Sequence, residues 1–66
     1  MKQYKTNMIL RLGIAELGLW NWQAAEIVGI SESYFSRIIR KELPYEKQIE
    51  LLEKIREGVK HYDENN

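Results

Sequence analysis

The chain has 66 residues, a formal net charge of zero at pH 7 and no cysteine, which excludes disulfides and thiolate zinc sites. A hydrophobic share of 44 % and a charged share of 30 % are typical of a globular domain, and the length allows only one. Such a domain buries only about 60 % of the surface of its unfolded chain, so we expect either a well-packed helical core or a homo-oligomer.

The N-terminal segment, residues 1–6, is polar, and we expect it to be frayed. It leads into no long apolar run, because the longest uncharged apolar stretch there is residues 8–10. That stretch is far too short for a signal peptide or a membrane span. We therefore expect a cytoplasmic protein that has no membrane partner.

The first helix is predicted over residues 8–17, with Asn7 as its N-cap and Gly18 as its stop. Its apolar face consists of Leu10, Ile14 and Leu17. These side chains recur at steps of four and three, as one face of a helix requires. Gly13 lies inside this helix at a cost of roughly 1 kcal/mol relative to alanine, which predicts close approach of another helix.

Two short helices are predicted next, over residues 22–28 and about 32–40. Asn21 is the expected cap of the second helix, and Gly29 ends it. Ser31 is the expected cap of the third helix, because its hydroxyl can accept from a backbone N–H of the first turn. The side chains expected to point inward from the third helix are Phe35, Ile38 and Ile39.

The fourth helix is predicted to start at Pro44, because proline is tolerated in the first turn of a helix. A strong apolar stripe follows at steps of four and three: Tyr45, Ile49, Leu52, Ile55 and Val59. Gly58 and the polar tail 61–66 are expected to end the domain. The fold class is therefore all-α, a compact four-helix domain whose ordered core extends from about residue 7 to 60.

The centre of the chain, from about Trp20 to Lys41, has the pattern of a helix-turn-helix. Gly29 can take the positive φ that the tight turn between the two helices needs. Ala25 must be small because the next helix crosses over it, and Ile30 fills the corner after the glycine. One face of the third helix is then left to enter a DNA major groove, which just admits a helix.

The residues WQAAEIVGISESYFSRIIR, from Trp22 to Arg40, resemble the phage-repressor/Cro-like (XRE) helix-turn-helix family. That family reads roughly Ala-Glu-x-Leu-Gly-Ile-Ser, then three varied positions, then Ser-Arg. Val28 stands here where leucine is usual. The continuation RKELP, residues 40–44, looks like a small-regulator branch of phages and integrative elements of Gram-positive bacteria.

The resemblance implies a sequence-specific transcriptional regulator that inserts helix 32–40 into the major groove of double-stranded DNA. By position, the base-reading residues would be Glu32, Ser33 and Arg37. The residues beside the phosphates would be Asn21, Tyr34, Ser36, Arg40 and Lys41. Arg37 is the strongest candidate, because arginine can bridge guanine O6 and N7 with two hydrogen bonds.

The charges are distributed unevenly although they sum to zero. Residues 1–41, which include Lys2 and Lys5, have a formal charge of +3, and residues 42–66 have −3. A basic N-terminal part and an acidic C-terminal part would let one face of the domain contact phosphate. A charge of +3 is small for a DNA-binding protein and predicts modest affinity per copy.

Several residues have two interpretations. Glu32 either accepts from a cytosine amino group or only complements the helix dipole. The cations Arg37, Arg40 and Lys41 could instead form a solvated helix face. Trp20 and Trp22 could form a ligand cage or stacking platform, but two tryptophans in so small a chain are more often core, and we expect core.

Two further functions remain open from the sequence. One is a DNA-bending accessory factor for recombination or excision of a mobile element, and the other is a protein-interaction module that has lost DNA binding. A homodimer is possible, and its candidate surface on the fourth helix consists of Tyr45, Leu51 and Val59. Zero net charge and Glu32 favour the interaction module.

We expect no enzymatic activity, because the sequence has no nucleophile–base pair at usable spacing and no Gly-rich phosphate loop. A lone histidine, His61, cannot build a metal site with its own neighbours. No catalytic residue, metal, cofactor or small-molecule ligand is therefore expected.

Overall fold

Four α-helices make up the domain in the computed structural model, which describes residues 6–64 and side chains as far as Tyr62. In chain order they are α1 (Met8–Glu16), α2 (Asn21–Val28), α3 (Glu32–Ile38) and α4 (Tyr45–Glu64). No strand occurs in this part of the chain. The predicted all-α fold with four helices is confirmed, with boundaries mostly within two residues of those expected.

The core lies where α1 and α2 pack against α4 and where α3 packs against α2. Its buried apolar side chains are Leu10, Ile14, Ala24, Ala25, Phe35, Ile39, Leu52 and Ile55. Phe35 and Ile39 therefore point inward as predicted, while Ile38 is only partly buried. Ala24 and Ala25 are small and fully buried, which allows α2 to pack close to its neighbours.

Two glycines mark close helix crossings. A Cβ on Gly13 would lie 2.6 Å from Leu52 Cδ2, which confirms the predicted close approach of another helix to α1. A Cβ on Gly58 would collide with Ile27 Cγ2 of α2. The expectation that Gly58 helps to end the domain was wrong, because α4 continues through it to Glu64 and uses it to admit α2.

The turn between α2 and α3 has the predicted geometry. Gly29 has a φ of 94°, and the N–H of Ile30 donates to the Ala25 carbonyl over 3.0 Å, which closes α2. Ser31 Oγ then accepts from the N–H of Tyr34 over 3.1 Å and caps α3. The glycine is needed because other residues pay a steric cost at this positive φ.

The start of α2 differs from the prediction. Asn21 is the first residue of the helix and not its cap, since Trp20 occupies the N-cap position. The cap hydrogen bond runs from the Trp20 N–H to Gln23 Oε1 over 2.8 Å. A glutamine at the third helical position reaches back in this way in a capping box, which the sequence reading overlooked.

Asn7 occupies the N-cap position of α1 as predicted, but its side chain makes no cap hydrogen bond and has a different role. Its backbone is left-handed, with a φ of 57°, and its side chain is completely buried without capping α1. Nδ2 donates to the carbonyls of Ile39 at 2.7 Å and Lys41 at 3.0 Å. Oδ1 accepts from the Leu43 N–H at 2.7 Å, so Asn7 holds the segment that leaves α3.

Asn7 is part of a hydrogen-bonded cluster that joins the start of α1 to the α3–α4 connection, and we call this cluster the polar junction. Its members are Thr6, Asn7, Arg11, Glu42 and Gln48. Gln48 is buried on α4, accepts from the Leu10 N–H at 3.3 Å and donates to Glu42 Oε2 at 2.9 Å. The Asn7 N–H donates to Glu42 Oε1 at 2.8 Å. The junction therefore ties the start of α1 to both ends of the α3–α4 connection.

Thr6, the last residue of the N-terminal segment, belongs to the polar junction. Thr6 donates through its hydroxyl to the Ile39 carbonyl over 3.3 Å, so the expectation of fraying is wrong at this residue. Residues 1–5, with Lys2 and Lys5, lie outside the described part of the chain. No helix in the described part is long and apolar enough to cross a membrane.

Candidate nucleic-acid interface

The outward face of α3 brings together most of the predicted DNA-binding residues. One shallow depression is lined by Glu32, Ser33, Ser36, Arg37 and Arg40. All of these are exposed except Ser36, which is partly buried. The spacing explains the shared face, since side chains three and four apart are neighbours on a helix. The three predicted base-reading residues and two of the predicted phosphate-binding residues thus share one surface.

Three side chains on this face have no partner in the part of the chain that the structure describes. Glu32, Ser33 and Arg37 make no side-chain hydrogen bond or ion pair with any residue the structure describes. Their backbone is nevertheless fixed, because Ser31 caps the helix and Phe35 is completely buried beneath it. The face therefore presents polar groups on a rigid support, without internal bonds that a ligand would have to break.

A second depression joins this face to the start of α2. It is lined by Arg11, Asn21, Ser36, Ile39 and Arg40. Asn21 thus lies beside Ser36 and Arg40, as the proposed grouping of phosphate-binding residues requires. Arg11 was missed, because its neighbours in the sequence belong to the apolar face of α1 and give no sign that α3 lies nearby.

Arg11 is held in place by the polar junction. Its Nε donates to the Thr6 carbonyl at 2.8 Å and its Nη2 to the Ile39 carbonyl at 3.2 Å. These bonds leave its charge beside Arg40 in the second depression. The described surface around α3 therefore carries three arginines, at positions 11, 37 and 40, against the carboxylate of Glu32.

The two remaining predicted phosphate-binding residues lie apart from this surface. Tyr34 is about half exposed and lines a groove between α3 and α4, with Ile38, Leu43 and Lys47 among its neighbours. Lys41 is exposed on the α3–α4 connection, and its carbonyl accepts from Asn7. The structure thus places Asn21, Ser36 and Arg40 together and does not bring Tyr34 and Lys41 to them.

Trp20 and Trp22 are on the surface, so the expectation that they are core was wrong. Trp20 is 70 % exposed and Trp22 is 47 % exposed. The reason is their position at the start of α2, where Trp20 is the N-cap and Trp22 the second residue, whereas the buried face of α2 is formed further along by Ala24 and Ala25. Both indoles line a third depression that also includes Arg11, Asn21 and Glu32.

The candidate dimer surface on α4 does not form one exposed face. Tyr45 is 62 % exposed and lies with Ile49 and three glutamates along one side of the helix. Leu51 and Val59 are partly buried and pack against the core. Two of the three predicted dimer residues are therefore already used within the chain.

Among the described residues, no three His, Cys, Asp or Glu side chains come together as a metal site would require. No family model matches the chain, and no curated protein or solved structure matches it either. The resemblance to the XRE family therefore stays a prediction from the residues between Trp22 and Pro44.

Proposed function

We propose that this protein is a sequence-specific DNA-binding transcriptional regulator that inserts α3 into the major groove. The observation that carries the proposal is the face of α3, where Glu32, Ser33 and Arg37 are exposed and have no side-chain partner among residues 6–62, on a helix anchored by Phe35. A helix presented in this way, after a tight glycine turn and a Ser cap, has the geometry of a recognition helix.

In this proposal, base reading belongs to the first two turns of α3. Arg37 donates two hydrogen bonds to guanine O6 and N7, and Ser33 can donate to or accept from a base edge. Glu32 accepts from a cytosine amino group when one is present, and otherwise repels the phosphates near it. Its carboxylate thus works against non-specific binding and sharpens the preference for a matching site.

Phosphate binding belongs to the second depression. Arg40, Ser36 and Asn21 lie side by side there, and Arg11 adds a further positive charge. Contacts of this type fix the register of the helix on the duplex without reading sequence. Because so few cations take part, one copy would bind weakly, and two copies on a two-fold symmetric site would strengthen binding. The resemblance implies regulation of phage or mobile-element genes.

The test is binding of the purified protein to DNA from upstream of its own gene and to a scrambled duplex, at low and physiological salt. Arg37→Ala should lose about 1–3 kcal/mol of the preference for the matching duplex. Arg56→Ala is the matched control, because Arg56 is an exposed arginine on α4 outside the proposed surface. Binding that is absent, or equal for every sequence and every variant, would contradict the proposal.

A second candidate is a protein-interaction module that has kept the fold without DNA binding. The observation that favours it is the exposure of Trp20 and Trp22 beside Glu32, because tryptophan is enriched at protein interfaces. DNA association that is weak and insensitive to salt would support this candidate, since real phosphate contacts weaken as salt rises.

A further inference from the structure

We infer that Trp20 and Trp22 form a second DNA contact, on the sugar–phosphate backbone that flanks the major groove entered by α3. This inference rests on the proposed function and extends the DNA surface beyond the residues that the family resemblance assigns. It gives a role to Trp20 and Trp22, two large exposed side chains that the core does not use.

The first step of the argument is continuity of the surface. The depression that holds both indoles shares Arg11 and Asn21 with the second depression. The second depression in turn shares Ser36 and Arg40 with the outward face of α3. The depression of the tryptophans also includes Glu32 of the α3 face, so all three depressions belong to one surface.

The second step concerns the chemistry of the occupant. An indole offers an apolar face and one N–H donor, and it has no acceptor. A DNA backbone offers apolar deoxyribose faces and phosphate oxygens that only accept, so the two surfaces complement each other. Arg11 adds a positive charge in the same depression, whereas Glu32 lies on its α3 side, toward the proposed base edges.

The third step excludes competing occupants while DNA is bound. A second copy or another protein seated on the indoles would also cover Asn21 and Arg11, which line the same depression. Those residues belong to the proposed phosphate surface, so such a partner would block the duplex. The described part of the chain also has few cations near α3. Uncharged contacts to the DNA backbone would add to the affinity that these few cations supply.

The inference has a thermodynamic signature that separates it from an ordinary phosphate contact. Replacing a cation removes counterion release, so the dependence of log Kd on log salt becomes shallower by about 1 for Arg40→Ala. Replacing an indole removes packing and a neutral donor, so affinity falls while that slope stays the same. Loss of affinity at constant salt slope is therefore the diagnostic result.

The experiment measures Kd for the full chain on its upstream duplex and a scrambled duplex, over a range of salt concentrations. Trp20→Ala and Trp22→Ala should each weaken binding to both duplexes by about fivefold or more, with the salt slope of the parent. Tyr45→Ala is the matched control, because Tyr45 is an aromatic residue on α4 whose exposure of 62 % lies between those of the two tryptophans. Both tryptophan variants should fold, since both side chains lie outside the core and the Trp20 cap bond uses its backbone N–H.

Fluorescence provides an independent readout, because the chain contains only these two tryptophans. Iodide should quench the emission of the protein alone, and the upstream duplex should protect both indoles from quenching. Trp22→Phe in one sample and Trp20→Phe in another assign the protection to each indole.

The outcomes separate this inference from the proposed function. If the alanine variants bind both duplexes like the parent while Arg37→Ala loses its preference, the inference is overturned and the regulator stands. If the parent binds no DNA, both are overturned. If the alanine variants change the sedimenting mass and leave DNA affinity intact, a second copy occupies the indoles and the inference is overturned.

Discussion

The polar junction and the outward face of α3 are both rich in polar side chains, but they use them in opposite ways. At the junction, Asn7 and Gln48 are buried, and every polar atom of their side chains has a partner. On α3, Glu32, Ser33 and Arg37 are exposed and have no partner among the described residues. The junction therefore holds elements of the fold together, while these side chains of α3 form no hydrogen bonds within the described part of the chain.

The largest expected effect is at the centre of the junction. Asn7→Ala removes three side-chain hydrogen bonds and leaves the Lys41 carbonyl and the Leu43 N–H without their partner. Each unsatisfied group costs at most about 1–3 kcal/mol because these two are only partly buried, and alanine at the φ of 57° adds about 1 kcal/mol of backbone strain. The free energy of unfolding should therefore fall by about 3 kcal/mol. Urea denaturation followed by circular dichroism measures the change. A loss below about 1 kcal/mol would contradict the assigned role of Asn7.

The next largest effect is expected at Gln48. Gln48→Leu keeps the volume but removes the acceptor for the Leu10 N–H and the donor to Glu42. We expect a loss of about 1–3 kcal/mol, smaller than for Asn7→Ala because Glu42 is exposed and can turn to water. The same denaturation series, with the Asn7→Ala/Gln48→Leu double variant, measures the coupling between the two. Strictly additive losses would show that the junction does not act as a unit.

A smaller effect is expected at the start of α3. Ser31→Ala removes the acceptor for the Tyr34 N–H and should cost about 1 kcal/mol of folding stability. Ser33→Ala, on the same helix and with no side-chain hydrogen bond to any described residue, is the control and should stay within about 0.5 kcal/mol of the parent. Thermal unfolding of the two variants compares them directly. Equal stability of the two variants would contradict the role of Ser31 as the cap of α3.

The smallest effect on stability, and a clear one on binding, is expected at Glu32. Glu32→Gln should cost at most about 1 kcal/mol, because only a favourable interaction with the helix dipole is lost. Its affinity for the scrambled duplex should rise, since a negative charge leaves the proposed DNA surface. Fluorescence anisotropy with a labelled duplex measures this change, and Glu53→Gln on the far side of α4 controls for net charge. An equal rise in both variants would indicate a net-charge effect alone.

The local features of the fold were predictable because each depends on neighbours in the chain. The stripe of apolar residues on α1, the break at Gly29 and the cap at Ser31 follow from helix periodicity and backbone sterics, and the structure contains all of them. Gly13 was also interpreted correctly, since a glycine inside a helix usually has a packing reason. The sequence thus determined the helices, the turn between α2 and α3, and which face of α3 points outward.

The tertiary structure decided the roles that depend on where helices meet. Asn7 has the sequence context of a cap, yet it is buried because the α3–α4 connection crosses it and offers two carbonyls and an N–H. Trp20 and Trp22 are residue types expected in a core, yet they lie at the N-terminal end of α2 and stay exposed. Arg11 joined the candidate site only because α1 ends up beside α3. Periodicity fixes which side of a helix is apolar, but only packing fixes what each end of that helix touches.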